Sequence, residues 1–164
     1  MMEDLPVIRF FLFFLLLFLS AFFSAAEIAL FSLSPAQVDI LKERKGNAGK
    51  LAASMLASPR RLLVTIYVGN ELINVAIAAV ATVIAMHFFK EYAVALSVGV
   101  GTFILIIFGD ITPKTFALKH AEKFSLFAVR PLSIFSKLVE PFVNGFTWIL
   151  NKISSQYSCL EPKQ

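Results

Sequence analysis

Apolar residues run almost unbroken through three stretches of the chain. The first extends from about Phe10 to Leu33 and the second from Leu62 to about Phe89. The third runs from Tyr92 to Phe108 and reaches its polar end at Asp110. A spanning helix needs about 20 mostly apolar residues, so the pattern predicts three transmembrane helices, the third of them short. Lys90 and Glu91 separate the last two runs, which predicts a tight turn between antiparallel neighbours. Between the first two spans, "SPAQVDILKERKGNAGKLAASMLASPRR" predicts short interfacial helices over about residues 35–60. There Ser34 with Pro35 starts a helix and "KGNAGK" makes a turn.

Residues 115–153 change character. Phe135, Leu138, Val139, Phe142, Phe146, Ile149, Leu150 and Ile153 recur at helical spacing, while Lys137, Glu140, Asn144, Thr147 and Asn151 form a polar stripe. A fourth span would bury that stripe and carry the C-terminus to the opposite side. An amphipathic helix lying in the interface leaves it hydrated, with Trp148 at headgroup depth, and this is the preferred reading. Residues 154–164 form a polar tail. It reads as the start of a linker.

Composition agrees with a bilayer as solvent. Of 164 residues, 58% are hydrophobic and 16% charged, with eighteen Phe, more apolar surface than a soluble core of this size can hide. The net charge of +4 is no sign of nucleic-acid binding, because the cations collect at the ends of apolar runs rather than along one face. Lys42, Arg44, Lys45, Lys50, Arg60 and Arg61 lie between the first two spans, and Lys114, Lys119, Lys123 and Arg130 follow Asp110. By the positive-inside rule the N-terminus is outside and the C-terminus cytoplasmic. A cleaved signal peptide is disfavoured, because Glu3 and Asp4 flank the first run where such peptides carry positive charge. Cys159 is the single cysteine, which rules out an internal disulfide.

Each span carries one acid: Glu27, Glu71 and Asp110. An ionisable group in a span is costly and faces a partner or an aqueous cavity. In the first span Ser20, Ser24 and Glu27 share a helical face, and in the second Asn70 and Asn74 lie one turn apart with Glu71 on the flank. An all-oxygen set of hydroxyls, carboxamides and carboxylates suits a hard cation such as Mg2+ or Ca2+. In "FGDITPK", Pro113 has no N–H, so the carbonyl of Gly109 loses its α-helical donor beside Asp110. The competing roles are interhelical hydrogen bonding for Ser20 and the asparagines, and a one-turn ion pair between Asp110 and Lys114.

The segments "AFFSAAEIALFSLS", "YVGNELINVAIAA" and "FGDITPKTFAL", in this order and spacing, resemble the transmembrane domain of the CorC and cyclin M (CNNM) magnesium transporters. The resemblance covers roughly Phe10 to Ile153. It implies a homodimer in the plasma (inner) membrane, three spans per subunit, juxtamembrane helices and a belt helix. It also implies Mg2+ export, driven by Na+ entry, and cytoplasmic CBS-type domains beyond this chain. Ser24, Asn70, Asn74 and Asp110 match the positions of Mg2+ ligands, with the Gly109 carbonyl as a further one. Two departures stand out: Ala25-Ala26 replaces a Gly-Ser pair, removing a hydroxyl, and Asp110 replaces a glutamate.

The chain is therefore read as an all-α membrane domain over residues 1–153, with metal-site residues Ser24, Asn70, Asn74, Asp110, Gly109 and Ser20. Glu27, Glu71, Pro113 and Lys114 are assigned to supporting or coupling-ion roles. A membrane-embedded dimeric sensor with a structural ion is the alternative. Enzymatic activity is not expected. "FGD" is similar to the Gly-Asp of aspartyl intramembrane proteases, but a second intramembrane Asp is missing from the sequence and His87 and His120 lie at span ends.

Overall fold

The computed structural model describes the backbone of residues 4–89 and 93–157. Side chains are described within that range except at residues 4–6, 89, 93, 96–97, 142–144 and 146–157. The expected turn at Lys90-Glu91, the side chain of Trp148 and residues 158–164 of the tail lie outside the described residues. Every described element is helical. We label them α1 (Asp4–Phe31), α2 (Pro35–Arg44), α3 (Gly46–Leu56), α4 (Pro59–Phe89), α5 (residues 93–119) and α6 (Ala121–Tyr157). Three segments are long and apolar enough to cross a membrane: Val7–Phe31, Pro59–Phe88 and Val98–Lys119. The chain is an all-α membrane protein.

The loop between the first two spans folds as two short helices. Ser34 caps α2 reciprocally with Gln37: the Ser34 hydroxyl accepts the Gln37 N–H at 3.3 Å, and Gln37 Oε1 accepts the Ser34 N–H at 2.9 Å. Lys45 lies 3.9 Å from Glu122, and Arg61 pairs with Glu140, so α6 is tied once to this layer and once to the start of α4. These pairs are half-exposed, so they fix placement more than they stabilise.

Helix α1 is the hub. Its Phe23, Ala26 and Leu30 are buried with Leu62 and Ile66 of α4 and with Ala128 and Leu132 of α6. Ala25 and Ala29 are buried against Ala117 of α5, and Phe13 and Leu17 against Ile77 of α4. Without a hydrophobic driving force inside lipid, helices associate through close packing, which alanines at 25, 26 and 29 permit. Facing outward on α6, Phe127, Ile134 and Leu138 form one exposed apolar stripe. Although 37 residues long, α6 is not among the described helices apolar enough to span.

Helix α5 departs from the sequence expectation, which ended the third span near Asp110. The helix continues to Lys119, but it changes register on the way. Ser97–Gly101 and Leu105–Ile111 are π-helical, while Thr102–Ile104 and Thr112–Lys119 are α-helical. In the second π segment the Thr112 N–H donates to the Ile107 carbonyl, five residues back. Pro113 then falls in the first turn of the following α segment, and the carbonyl that lacks its donor is the one five residues back. The helix thus runs on through Pro113 at the register change.

Gly69 packs α4 tightly against α1 and α6. A Cβ built there would lie 2.5 Å from Phe23 Cε1 and 2.8 Å from Phe135 Cε1, two rings packed edge to face at 5.0 Å. A Gly69→Ala change should therefore push α6 off the α1–α4 pair and destabilise the fold by about 1–3 kcal/mol. A lowered thermal midpoint in detergent, compared with a change at Gly99, which has open space around it, checks this.

Candidate ion site

The polar face of α1 is buried, although it lies in the middle of an apolar helix. Ser20 and Ser24 are 2% and 1% exposed. Their hydroxyls cross to different helices. Ser20 Oγ lies 2.9 Å from Asn74 Oδ1 and 3.3 Å from Asn70 Oδ1, and its single proton serves the nearer oxygen. Ser24 Oγ donates to Asp110 Oδ1 at 2.9 Å. The i, i+4 spacing of Ser20 and Ser24 stacks them on one face of α1, and the same spacing places Asn70 and Asn74 together on α4. Three carboxamide and hydroxyl oxygens thus converge from α1 and α4, and α5 adds a carboxylate one turn away.

The backbone of α5 allows this approach. Gly109 is buried, and a Cβ there would lie 2.9 Å from Leu105 Cδ1 and 3.2 Å from Ser20 Oγ. The absence of a side chain brings the α5 backbone against Ser20. The π register also changes which carbonyl Pro113 affects. An α-helix would leave Gly109 without a donor. With Thr112 bonded to Ile107, the acceptor five residues before Pro113 is Phe108, and Lys114 N–H stands five residues beyond Gly109. Two successive carbonyls, those of Phe108 and Gly109, therefore immediately precede Asp110 at the register change.

Charge is balanced across helices. Lys114 Nζ lies 2.7 Å from Asp110 Oδ1 and 3.7 Å from Glu27 Oε2, so one ammonium bridges a carboxylate of α5 and a carboxylate of α1. The side chain of Glu27 is 17% exposed and that of Asp110 45%, so Glu27 is the more enclosed acid. Tyr67 of α4, half-exposed, lies near enough to the Glu27 carboxylate to interact with it electrostatically. Two carboxylates against one ammonium leave the cluster with one net negative charge. Its buried polar side-chain atoms all have partners among the described residues, as a polar group in hydrocarbon must.

The fold thus brings together Ser20, Ser24, Glu27, Asn70, Asn74, Gly109, Asp110 and Lys114. It leaves Glu71 apart: that carboxylate is on an exposed face of α4 with Leu72 and Val75, away from the buried cluster. Pro113 contributes through the backbone alone. Ala26 is buried in the α1–α4–α6 core, far around α1 from Ser20 and Ser24, so the hydroxyl lost at this position does not belong to their face. Tyr67 was missed in the sequence. Its spacing of three and seven residues from Asn70 and Asn74 puts all three on one side of α4, which was the available signal.

Among the described residues no three of His, Cys, Asp and Glu converge. The donors are hydroxyl, carboxamide, carboxylate and backbone carbonyl oxygens, a set that suits Mg2+ or another hard cation and not zinc or copper.

Known proteins share this arrangement of segments. A family model described as the cyclin M transmembrane N-terminal domain matches residues 11–161. A UPF0053 protein of Haemophilus influenzae is 36% identical over 151 residues, which is 92% of this chain and 35% of that protein. The UPF0053 inner membrane protein YfjD of Escherichia coli is 31% identical over 139 residues, 83% of this chain and 31% of that protein. A chloroplastic DUF21 domain-containing protein of Arabidopsis thaliana is 33% identical over 134 residues, covering 82% of this chain and 20% of the relative. The chain spans about a third or less of the length of these relatives. With the match running from the first span to beyond the belt helix, the chain belongs to the CorC/CNNM family of membrane proteins.

Proposed function

We propose that this chain is the ion-translocating membrane domain of a magnesium exporter, with Na+ entry as the driving force. The observation that carries this reading is that two buried serines one turn apart on α1 gather polar side chains from both other spans: Ser20 meets Asn70 and Asn74 of α4, and Ser24 meets Asp110 of α5. Interhelical hydrogen bonding alone needs one donor and one acceptor per contact. Here Ser20 has two acceptors for a single proton, and a net negative charge remains one turn along α1, where Ser24 meets Asp110. A cation supplies what the cluster lacks.

In this reading the ligands are Ser20 and Ser24 hydroxyl oxygens, the Asn70 and Asn74 carboxamide oxygens and the Asp110 carboxylate, with the Gly109 carbonyl from the backbone. Mg2+ prefers near-octahedral oxygen coordination and dehydrates reluctantly, so several such ligands are needed to offset its lost water. Lys114 acts as a tethered cation. When the ion is absent its ammonium neutralises Asp110. When the ion arrives it retreats toward Glu27, 3.7 Å away, and Tyr67 supports that carboxylate. Asp110 in place of a glutamate shortens the reach, and Ser24 compensates by holding the carboxylate at 2.9 Å. The protein works as a homodimer in the plasma membrane, with the N-terminus outside and the C-terminus cytoplasmic. Regulatory domains of the CBS type are its proposed cytoplasmic partners.

In liposomes containing the purified chain, Mg2+ flux should fall about tenfold or more on Asn70→Ala or Asp110→Ala, the cost of losing one charge-assisted contact. Glu71→Gln, outside the cluster, should keep most of it. Normal flux in the first two variants would reject the ligand assignment. Ion binding without flux in the wild-type chain would favour a sensor with a structural ion. A second outcome concerns the tether. Lys114→Met removes a competing cation and should tighten Mg2+ binding while slowing transport, read by calorimetry and flux on the same preparation.

A further inference from the structure

A cavity with a mixed polar and apolar lining lies where the α4 span begins, remote from the ion cluster. It has a volume of about 240 Å³ and sits between the end of α3, the start of α4 and the middle of α6. Its polar lining is Ser54, Ser58, Ser133, Ser136, Arg61 and Lys137. The lining holds two cations and no carboxylate, and its four hydroxyls can each donate one hydrogen bond as well as accept. The nearest ion-site residue on the same helix, Asn70, is nine positions beyond Arg61, about 13 Å along the axis.

The donors are largely uncommitted. Ser54 gives its proton to the Leu51 carbonyl at 2.8 Å, but Ser58, Ser133 and Ser136 have no side-chain hydrogen bond among the described residues. Arg61 pairs with Glu140, while Lys137 is exposed and makes no ion pair among the described residues. One positive charge therefore remains after Arg61 and Glu140 cancel. The backbone adds to it. Leu62 N–H bonds back to the Ser58 carbonyl at 3.0 Å, and both residues line the cavity, which therefore sits at the N-terminal, positive end of a 31-residue helix. Hydroxyls, a free ammonium and helix amides together match the acceptor oxygens and charge of a phosphate group.

We propose that this cavity is a phosphate-group site. Two sources present that group here: the headgroup of an anionic phospholipid, because the cavity lies where the α4 span begins, and a soluble phosphate compound. Occupation would brace α6 against α3 and α4 through Ser133, Ser136 and Lys137. This does not depend on the ion-transport reading, because none of its residues belongs to the ion cluster.

The test compares retention of phosphatidylglycerol and phosphatidylcholine on the purified chain by native mass spectrometry. Inorganic phosphate is titrated separately, by thermal midpoint at matched ionic strength. Phosphatidylglycerol should be retained about tenfold more tightly than phosphatidylcholine. Lys137→Ala, and Ser133→Ala with Ser136→Ala, should each remove that preference, while Lys137→Arg should keep it because the charge is preserved. A midpoint rise with inorganic phosphate that these variants lose, without lipid preference, supports the site and assigns it to a soluble ligand. Equal retention of the two lipids with no response to phosphate overturns the proposal. So does a preference that every variant retains.

Discussion

A polar group carried into hydrocarbon must find its partner inside the protein, and this constraint organises the whole bundle. Two serines on α1 cannot be solvated by lipid, so Ser20 turns to α4 and Ser24 to α5. Those two contacts fix which faces of the three spans meet. The alanines at 25, 26 and 29 then determine how near they come, and the α6 belt closes over the remaining side through Ala128 and Leu132. Packing and polar satisfaction act on different faces of the same helix. Neither would suffice alone: close packing without the serines leaves the rotation of α1 unspecified, and the serines without small neighbours could not reach.

The same constraint gives α5 its irregular path. A straight α-helix would meet Pro113 with a broken hydrogen bond at membrane depth. The π segment moves that defect by one position and lets the helix continue to Lys119. Irregular backbone within a membrane persists where it lines a polar site, and here it lies beside Asp110 and against Ser20. Gly109 makes the approach possible, and Lys114, one turn on, stands over the carboxylate. Backbone irregularity, glycine, acid and ammonium are thus parts of one arrangement.

Much of this could be read from the sequence, for a physical reason. Hydropathy locates spans because a bilayer demands long apolar runs, and helical periodicity locates faces, so Ser20–Ser24 and Asn70–Asn74 were legible as stripes. Partners across helices were not, because spacing along one helix says nothing about rotation against another. The bridge from Lys114 to Glu27, the phenol of Tyr67 beside it and the exclusion of Glu71 all depend on such rotations. The π register of α5 was hidden for another reason: a proline signals a missing donor, but not which register the chain adopts to accommodate it. Ala26 shows the same limit, since its place in the α6-facing core is visible only once α6 is docked.

The central claim is that the buried oxygens form a cation site and not merely a set of interhelical hydrogen bonds. Its most direct test is an experimental structure of the chain at saturating Mg2+, at a resolution that separates ion from water. Density among Ser20, Ser24, Asn70, Asn74 and Asp110 with oxygen distances of about 2.1 Å, and with Lys114 withdrawn from Asp110, is the predicted result. An uninterrupted Lys114–Asp110 pair, with the Ser20 and Ser24 hydroxyls still bonded to their present partners and no ion between them, would contradict it.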